Sequence, residues 1–336
     1  MKRKISIDFL RTLIIIESIL LHLKSKMNLN IIIQFLYIQN NIFKVGTFFI
    51  FVSGMMLYLV YYPRYQKDKQ GITIQLIKKG ISFFAIYLGY INILRLINNE
   101  IIPMELYSHV FQHPYMAKVI FTFSFIFLFA PLFLHILTKL DNTNYLFILS
   151  ASFMVTSFCM LNLVSLPRFW ATGFFDSMKI NYPVFPMLGV YCIGIWLGSI
   201  FGDYQKKPHY IVGMYVFLVS FYYFGVNFFE IYSLLLFWEI ANILIFVILV
   251  DMSFKYLISD KDNRVFNSIF LLGNRSLITF IGSNFIISLL PNFIEYEVIL
   301  QLAILMGIVI TTYSLAWFYE RIFSKKTALQ TQSSVH

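Results

Sequence analysis

Long apolar runs separated by short polar breaks fill almost the whole chain. Apolar windows fall at about 6–23, 46–62, 80–97, 117–137, 144–163, 185–202, 210–228, 231–251, 269–290 and 297–318. Each is close to the roughly 20 residues that a helix needs to cross about 30 Å of hydrocarbon. Gly, Pro, Asn and Lys gather in the breaks, and no polar stretch is long enough to make a soluble domain. The pattern predicts an all-α, polytopic integral membrane bundle of about ten transmembrane helices. It forms one transmembrane domain over residues 1–323, with a short cytoplasmic tail at 324–336.

Composition supports the pattern. Of the 336 residues 59% are hydrophobic and 12% charged, against roughly 25% charged in an ordinary soluble domain. A water-soluble core of this size cannot hide so much apolar side chain, so lipid takes the excess. The 38 Phe and 22 Tyr suit helices set against lipid and anchored at its interfaces. Cys159 and Cys192 both lie inside windows, which reads as small core residues rather than a disulfide framework or a cysteine zinc site, and no metal is expected. The opening Met1-Lys2-Arg3-Lys4 before an apolar run has the look of a signal peptide, but no small-residue cleavage site follows. The run is read as a retained first helix that serves as its own signal-anchor.

The net charge of +10 is mostly a topology signal. With the N-terminus in the cytoplasm, that side collects Lys2, Arg3, Lys4, Arg64, Lys67, Lys69, Lys78, Lys79, Lys139, Lys206, Lys207, Lys255, Lys261, Arg264, Arg321, Lys325 and Lys326. The other face holds far fewer, chiefly Lys24, Lys26, Lys44, Lys118, Arg168 and Lys179. The positive-inside rule therefore places the chain in the cytoplasmic (plasma) membrane with both termini cytoplasmic. Charges dispersed through short loops exclude a nucleic-acid partner. Three outer connections, at about 24–45, 98–116 and 164–184, are longer than the cytoplasmic turns. The first contains Ile31-Ile32-Ile33-Gln34-Phe35-Leu36-Tyr37-Ile38, too short to span but suited to lying in the interface. These segments either roof a cavity open to the outside or simply pack on the bundle.

Ionisable residues inside the windows are expensive and so become site candidates. The first window carries Asp8, Arg11, Glu17, Ser18 and His22. At 100° per residue, eleven steps from Arg11 to His22 return to within about 20° and rise about 16 Å, and Ser18 shares that face. One stripe thus joins a guanidinium near the cytoplasm to an imidazole near the outside. A plainer reading pairs Asp8 with Arg11 and leaves His22 as an interfacial residue. Histidine is the group suited to taking a proton from an attacking amine or hydroxyl near neutral pH. Glu17 sits about 120° around from the stripe, toward a neighbouring helix. Glu239, at mid-window beside Trp238 and Asn242, must be protonated or partnered; it either ties to an Asn or Lys of another helix or has a direct role. Lys78, Lys79, Arg11 and Arg275 either anchor the cytoplasmic side or converge as a mouth for a phosphorylated donor. Outer-loop Tyr107, His109, His113, Trp170 and Asp176 are the candidates for holding a sugar by hydrogen bonds and apolar ring contacts.

The arrangement Arg11-x10-His22 resembles the arginine-to-histidine signature in the first helix of the membrane acyltransferase-3 superfamily. Gly46-Thr47-Phe48-Phe49-Ile50-Phe51-Val52-Ser53-Gly54 is similar to its second-helix segment, a phenylalanine run before Ser-Gly. Asn181-Tyr182-Pro183-Val184-Phe185-Pro186-Met187-Leu188-Gly189-Val190 resembles a segment of the heparan-alpha-glucosaminide N-acetyltransferase-like branch, with Met187 where Trp is usual. Leu272-Gly273-Asn274-Arg275-Ser276-Leu277 is similar to a late-helix Leu-Gly-x-x-Ser-Leu segment, with Ser283 where many relatives carry His. The matches run in order along most of the chain. The basic pair common before the third helix is represented loosely, by Lys78 and Lys79.

This resemblance implies transfer of an acyl group, usually acetyl, from cytoplasmic acetyl-CoA or another acyl-CoA to a sugar of an envelope or extracytoplasmic glycan. His22 is then the main base candidate; from the residue reading above, Glu239 joins it as a catalytic candidate that orients a catalytic group or the acceptor, with Arg11, Lys78, Lys79 and Arg275 as donor-binding and His109, His113, Trp170 and Asp176 as acceptor-binding candidates. The partners implied are the lipid bilayer, acyl-CoA and the glycan. The acceptor, O- against N-acylation, a possible acyl-histidine intermediate and the oligomeric state stay open. The alternative class is a transporter or export component for a polysaccharide or lipid-linked sugar, although the windows show no inverted repeat of Gly/Pro-broken helices.

Overall fold

The computed structural model describes residues 5–24, 26–27, 44–97, 116–140, 142–163, 183–201, 208–229, 235–257, 270–274 and 276–333. Every regular element among them is helical. In chain order these are α1 (Ile5–Leu23), α2 (Val45–Met56), a π-helical stretch at Leu57–Tyr61 leading into α3 (Tyr62–Lys67), and α4 (Lys69–Ile97). Then follow α5 (Met116–Leu137), α6 (Tyr145–Leu163), α7 (Val184–Ile200), α8 (Pro208–Phe229) and α9 (Leu235–Leu257). The short α10 (Leu271–Asn274), α11 (Ser276–Leu289) and α12 (Val298–Ser333) complete the series.

The described part of each apolar window is largely helical, the last but one being divided between α10 and α11, and five helical stretches are long and apolar enough by themselves to cross a membrane. These are Val45–Lys67, Lys69–Ile93, Val119–Leu137, Leu236–Lys255 and Val298–Tyr319. Tyr145–Ser157, Val184–Ile200, Ile211–Ser220 and Thr279–Leu289 are apolar but shorter, and α1 carries Asp8, Arg11 and Glu17 within its length. The architecture is that of a helical membrane protein. Its outward side chains agree: Ile299 is 78% exposed, and Met306, Ile310 and Phe318 on the same helix are exposed too, which is unfavourable in water and natural against lipid. The three long connections expected on the outer face lie almost wholly outside the described residues. Residues 324–333, expected as a tail, continue α12.

The window expected at 80–97 begins eleven residues early, at Lys69. Asp68 is the reason. Its carboxylate accepts from the Gly71 N–H at 2.8 Å, which caps α4, while its own N–H donates to the Arg64 carbonyl at 2.9 Å, closing α3. One residue thus ends one helix and starts the next.

The chain forms two compact units, Met1–Val45 with Ile245–His336, and Gly46–Leu244. In the second, small residues decide the packing, since lipid supplies no hydrophobic drive between helices. Ideal Cβ atoms on Gly54 and Gly194 would strike the carbonyl oxygens of Tyr191 and Phe51, and one on Gly198 would press on Met55. Gly194-Ile195-Trp196-Leu197-Gly198 is therefore a G-x-x-x-G face that lets α7 meet α2 backbone to backbone. On its other side the Ser150 hydroxyl of α6 donates to the Gly189 carbonyl at 2.9 Å, and Trp196 Nε1 donates to Asn144 Oδ1 at 3.0 Å. Aromatic contacts join α2, α4 and α5, with ring centroids of Phe49 and Phe123 5.0 Å apart and those of Phe83 and Phe127 5.1 Å apart. In the first unit α1 packs on α10 and α11, and α12 covers them. Ile15, Ile19, Leu23, Leu272, Ile287 and Ile308 form that core.

Candidate functional site

The polar residues of α1 find partners in the segment that follows residue 270. Arg11 Nη2 donates to Ser276 Oγ, the first residue of α11, and Nη1 stands 3.9 Å from Asp8 Oδ1. The Gly273 N–H donates to Thr12 Oγ1 at 2.9 Å, and the Thr12 hydroxyl donates to the Asp8 carbonyl oxygen at 2.9 Å. A Cβ on Gly273 would collide with that same carbonyl. Glycine is what lets α10 lie directly on the α1 backbone, which in turn delivers Ser276 to Arg11.

At the far end, Lys26 makes a second clasp. Its ammonium donates to the Leu290 carbonyl and lies 3.5 Å from that of Ser288, while its own carbonyl accepts from the Phe293 N–H at 2.7 Å. A cation against the last carbonyls of α11 answers the negative end of that helix, and burial pulls the ammonium below the ordinary lysine range. With Arg11 at the start of α11 and Lys26 at its end, α1 and α11 run parallel.

At heights between the clasps both helices carry buried polar side chains. Glu17, Ser18, Ser283 and Asn284 are all buried. Ser283 donates back to the Phe280 carbonyl at 3.1 Å. Glu17 Oε2, Ser18 Oγ and both amide atoms of Asn284 have no hydrogen-bond partner among the described residues. His22 occupies the last turn of α1, half-buried, one turn beyond Ser18 on the face that Arg11 shares.

Within the second unit, Glu239 on α9 is buried and accepts from Thr47 Oγ1 of α2 at 2.8 Å. It faces protein, and this partner is a threonine rather than an Asn or Lys. Lys79 on α4 donates to the Tyr61 hydroxyl of the π-helical stretch, with its Nζ 5.0 Å from the Tyr61 ring centroid and 5.8 Å from that of Phe127. Such a π stretch is frequent at functional sites, yet here it presents an aromatic seat to a lysine. Lys78 is exposed. Arg275, His109, His113, Trp170 and Asp176 lie outside the described residues, as does Tyr107.

The residues brought together are therefore Arg11, Asp8, Ser276 and Gly273 at one level of the seam, and Glu239 with Thr47 in the other unit. Asn284, Thr47 and Asp251 went unremarked as polar partners in the sequence. Asp251 is buried, accepts from Ser6 Oγ at 2.7 Å and pairs with Lys255 at 2.9 Å. The Asp-x-x-x-Lys spacing was the available signal for it, whereas Asn284 is a lone amide in an apolar run. The seam can hold negative charge at the Arg11 end, and α1 carries an imidazole toward its other end. No protein-family model, curated protein or solved structure matches the chain.

Proposed function

We propose that this chain is a membrane acyltransferase that crosses the cytoplasmic membrane about ten times with both termini in the cytoplasm. It moves an acyl group, usually acetyl, from cytoplasmic acyl-CoA to a sugar of an extracytoplasmic glycan. The observation that supports this reading is the meeting of Arg11 with Ser276, 265 residues apart. These two residues belong to the two segments, Arg11-x10-His22 and Leu272-Gly273-Asn274-Arg275-Ser276-Leu277, that resemble the same superfamily.

Arg11 beside the first residue of α11 is a place for the donor's phosphates, because a guanidinium and a helix N-terminus both favour an anion. About 16 Å further along the same face, the donor's acyl end reaches His22, since the pantetheine arm is long enough to bridge that gap. An acyl thioester already carries an activated carbonyl, so the protein positions the acceptor, removes its proton and steadies the charge that develops on oxygen. The acceptor oxygen or nitrogen forms its bond to the carbonyl carbon as its proton passes to the neutral imidazole of His22. The C–S bond then breaks, and the imidazolium returns the proton to the departing thiolate.

Comparison of surface-glycan masses from cells with and without the gene tests the reading. An acyl increment missing from an otherwise intact glycan is the expected result. Loss of the whole polymer, with accumulation inside the cell, would replace the enzyme by an exporter.

A further inference from the structure

From the contact of Lys79 with Tyr61 we infer that these two residues hold the phosphate of one anionic phospholipid, at the end of the second unit where α3 meets α4. An acyl chain of that lipid runs along α4 from Ser82 toward Ile93. The lipid is neither the donor nor the acceptor of acyl transfer, and its site stands whether or not that chemistry holds.

The Lys79 ammonium donates to the Tyr61 hydroxyl and lies beside the rings of Tyr61 and Phe127, 5.0 and 5.8 Å from their centroids. Aromatic rings attract a cation but leave its charge in place. Among the described residues no carboxylate pairs with Lys79. An ammonium carries three N–H groups and a phenol one O–H. With one hydrogen bond between the two groups, the remaining N–H groups and the Tyr61 O–H have no acceptor among the described residues. These donors belong to a single cation–hydroxyl pair, so one oxyanion can serve them all. Both residues are half-buried, which fixes the pair and still leaves it open to a ligand from the surface.

The surface on either side of the pair selects what carries the oxyanion. Up to Lys79 the exposed positions of α3 and α4 are mostly polar, Gln75 and Lys78 among them; beyond it, among the described residues of α4, Ser82 is the one polar residue that is exposed. Lys79 therefore stands where headgroups give way to hydrocarbon. At 100° per residue Ser82, Ile86, Gly89 and Ile93 all lie within about 80° of Lys79 around α4. Ile86 and Ile93 are exposed, and a Cβ on Gly89 would meet nothing within 4 Å. From Lys79 to Ile93 the helix rises about 21 Å, more than the roughly 15 Å of one hydrocarbon leaflet. A soluble phosphate ester would use the cation and leave this apolar track bare. A phospholipid puts its anion at the level of Lys79 and its chains below. A zwitterionic headgroup brings its own cation to the phosphate and gains less, so the pair favours a lipid of net negative charge. In the orientation proposed above this is the cytoplasmic leaflet, where anionic lipids reside.

The test uses the purified full chain in an uncharged detergent. Bound lipid is counted by native mass spectrometry during titration with phosphatidylglycerol and with phosphatidylcholine of the same acyl chains. One phosphatidylglycerol should bind about tenfold more tightly than phosphatidylcholine, the low end for a hydrogen bond to a charged group. Lys79→Met keeps the aliphatic stem and should abolish that preference. Tyr61→Phe keeps the ring and should weaken phosphatidylglycerol binding about threefold, as loss of one neutral hydrogen bond does. Because it removes a single oxygen, Tyr61→Phe should melt close to wild type without added lipid, which separates lost binding from lost folding. Lys67→Met, at an exposed position of α3, should keep the full preference. The inference falls if the wild type binds both lipids alike, or if Lys79→Met and Tyr61→Phe both bind as the wild type does. It falls equally if Lys67→Met loses as much as Lys79→Met, since the attraction would then be diffuse charge. Displacement of the bound phosphatidylglycerol by coenzyme A would give the seat to a soluble phosphate ester and overturn the lipid assignment.

Discussion

The hydroxyl of Thr47 donates to the carboxylate of Glu239 across 2.8 Å in the interior of its unit. Both ends are buried, so this bond joins α2 to α9 where water does not compete. Thr47→Val keeps the shape and removes the donor. It should cost about 1–3 kcal/mol, the range for depriving a buried polar group of a partner, and thermal unfolding of the purified protein in detergent measures it. Glu239→Gln keeps an acceptor for Thr47 and should melt close to wild type. Full acyl transfer by that variant would reduce Glu239 to a structural tie.

The α2–α7 crossing depends on missing side chains. Gly194→Ala drives a methyl into the Phe51 carbonyl and should destabilise by about 1–3 kcal/mol, as overpacking does. Gly213→Ala, on α8 where nothing lies within 4 Å of the added carbon, should stabilise by roughly 0.5–1 kcal/mol through helix propensity. Equal melting temperatures for these two variants would contradict the close crossing.

Gly273 fixes where Ser276 meets Arg11, so its effect should reach the donor. Gly273→Ala is expected to raise the KM for acyl-CoA by about tenfold or more, because displacing a positioning element by an ångström carries penalties of that order or greater. Arg11→Ala should raise the same KM and change kcat less. An unchanged donor KM in both variants would remove Arg11 from donor binding.

His22→Gln and His22→Ala should insert normally and lose about two orders of magnitude of acyl transfer, the lower end of what a general base contributes. Turnover is followed with labelled acyl-CoA on monodisperse protein. Near-wild-type rates would refute the assignment, and Glu17, His109 and His113 would be the next groups to test.

Helix positions were legible because the windows follow backbone hydrogen bonding and hydrophobicity, both local properties. The start of α4 was not, because Asp68 caps a polar turn that hydropathy passes over. Helical angles alone put Arg11, Ser18 and His22 on one face. What that face meets was hidden, since Ser276 lies 265 residues from Arg11 in sequence and nothing in a single sequence records such a pairing. The seat of Lys79 beside Tyr61 and Phe127 is likewise a tertiary contact that its place before an apolar run does not reveal.

The parallel pairing of α1 with α11 also bears on how the protein is made. Asp8 and Arg11 leave the ribosome some 265 residues before Ser276, which at 5–20 residues per second is on the order of 13–50 s. Through that interval the first helix holds its charges in or beside the bilayer without the clasps that settle them. A nascent chain arrested before residue 270 should therefore leave α1 readily extracted from the membrane, and release of the finished segment should fix it there. The earliest helix of the chain is among the last to reach its final place.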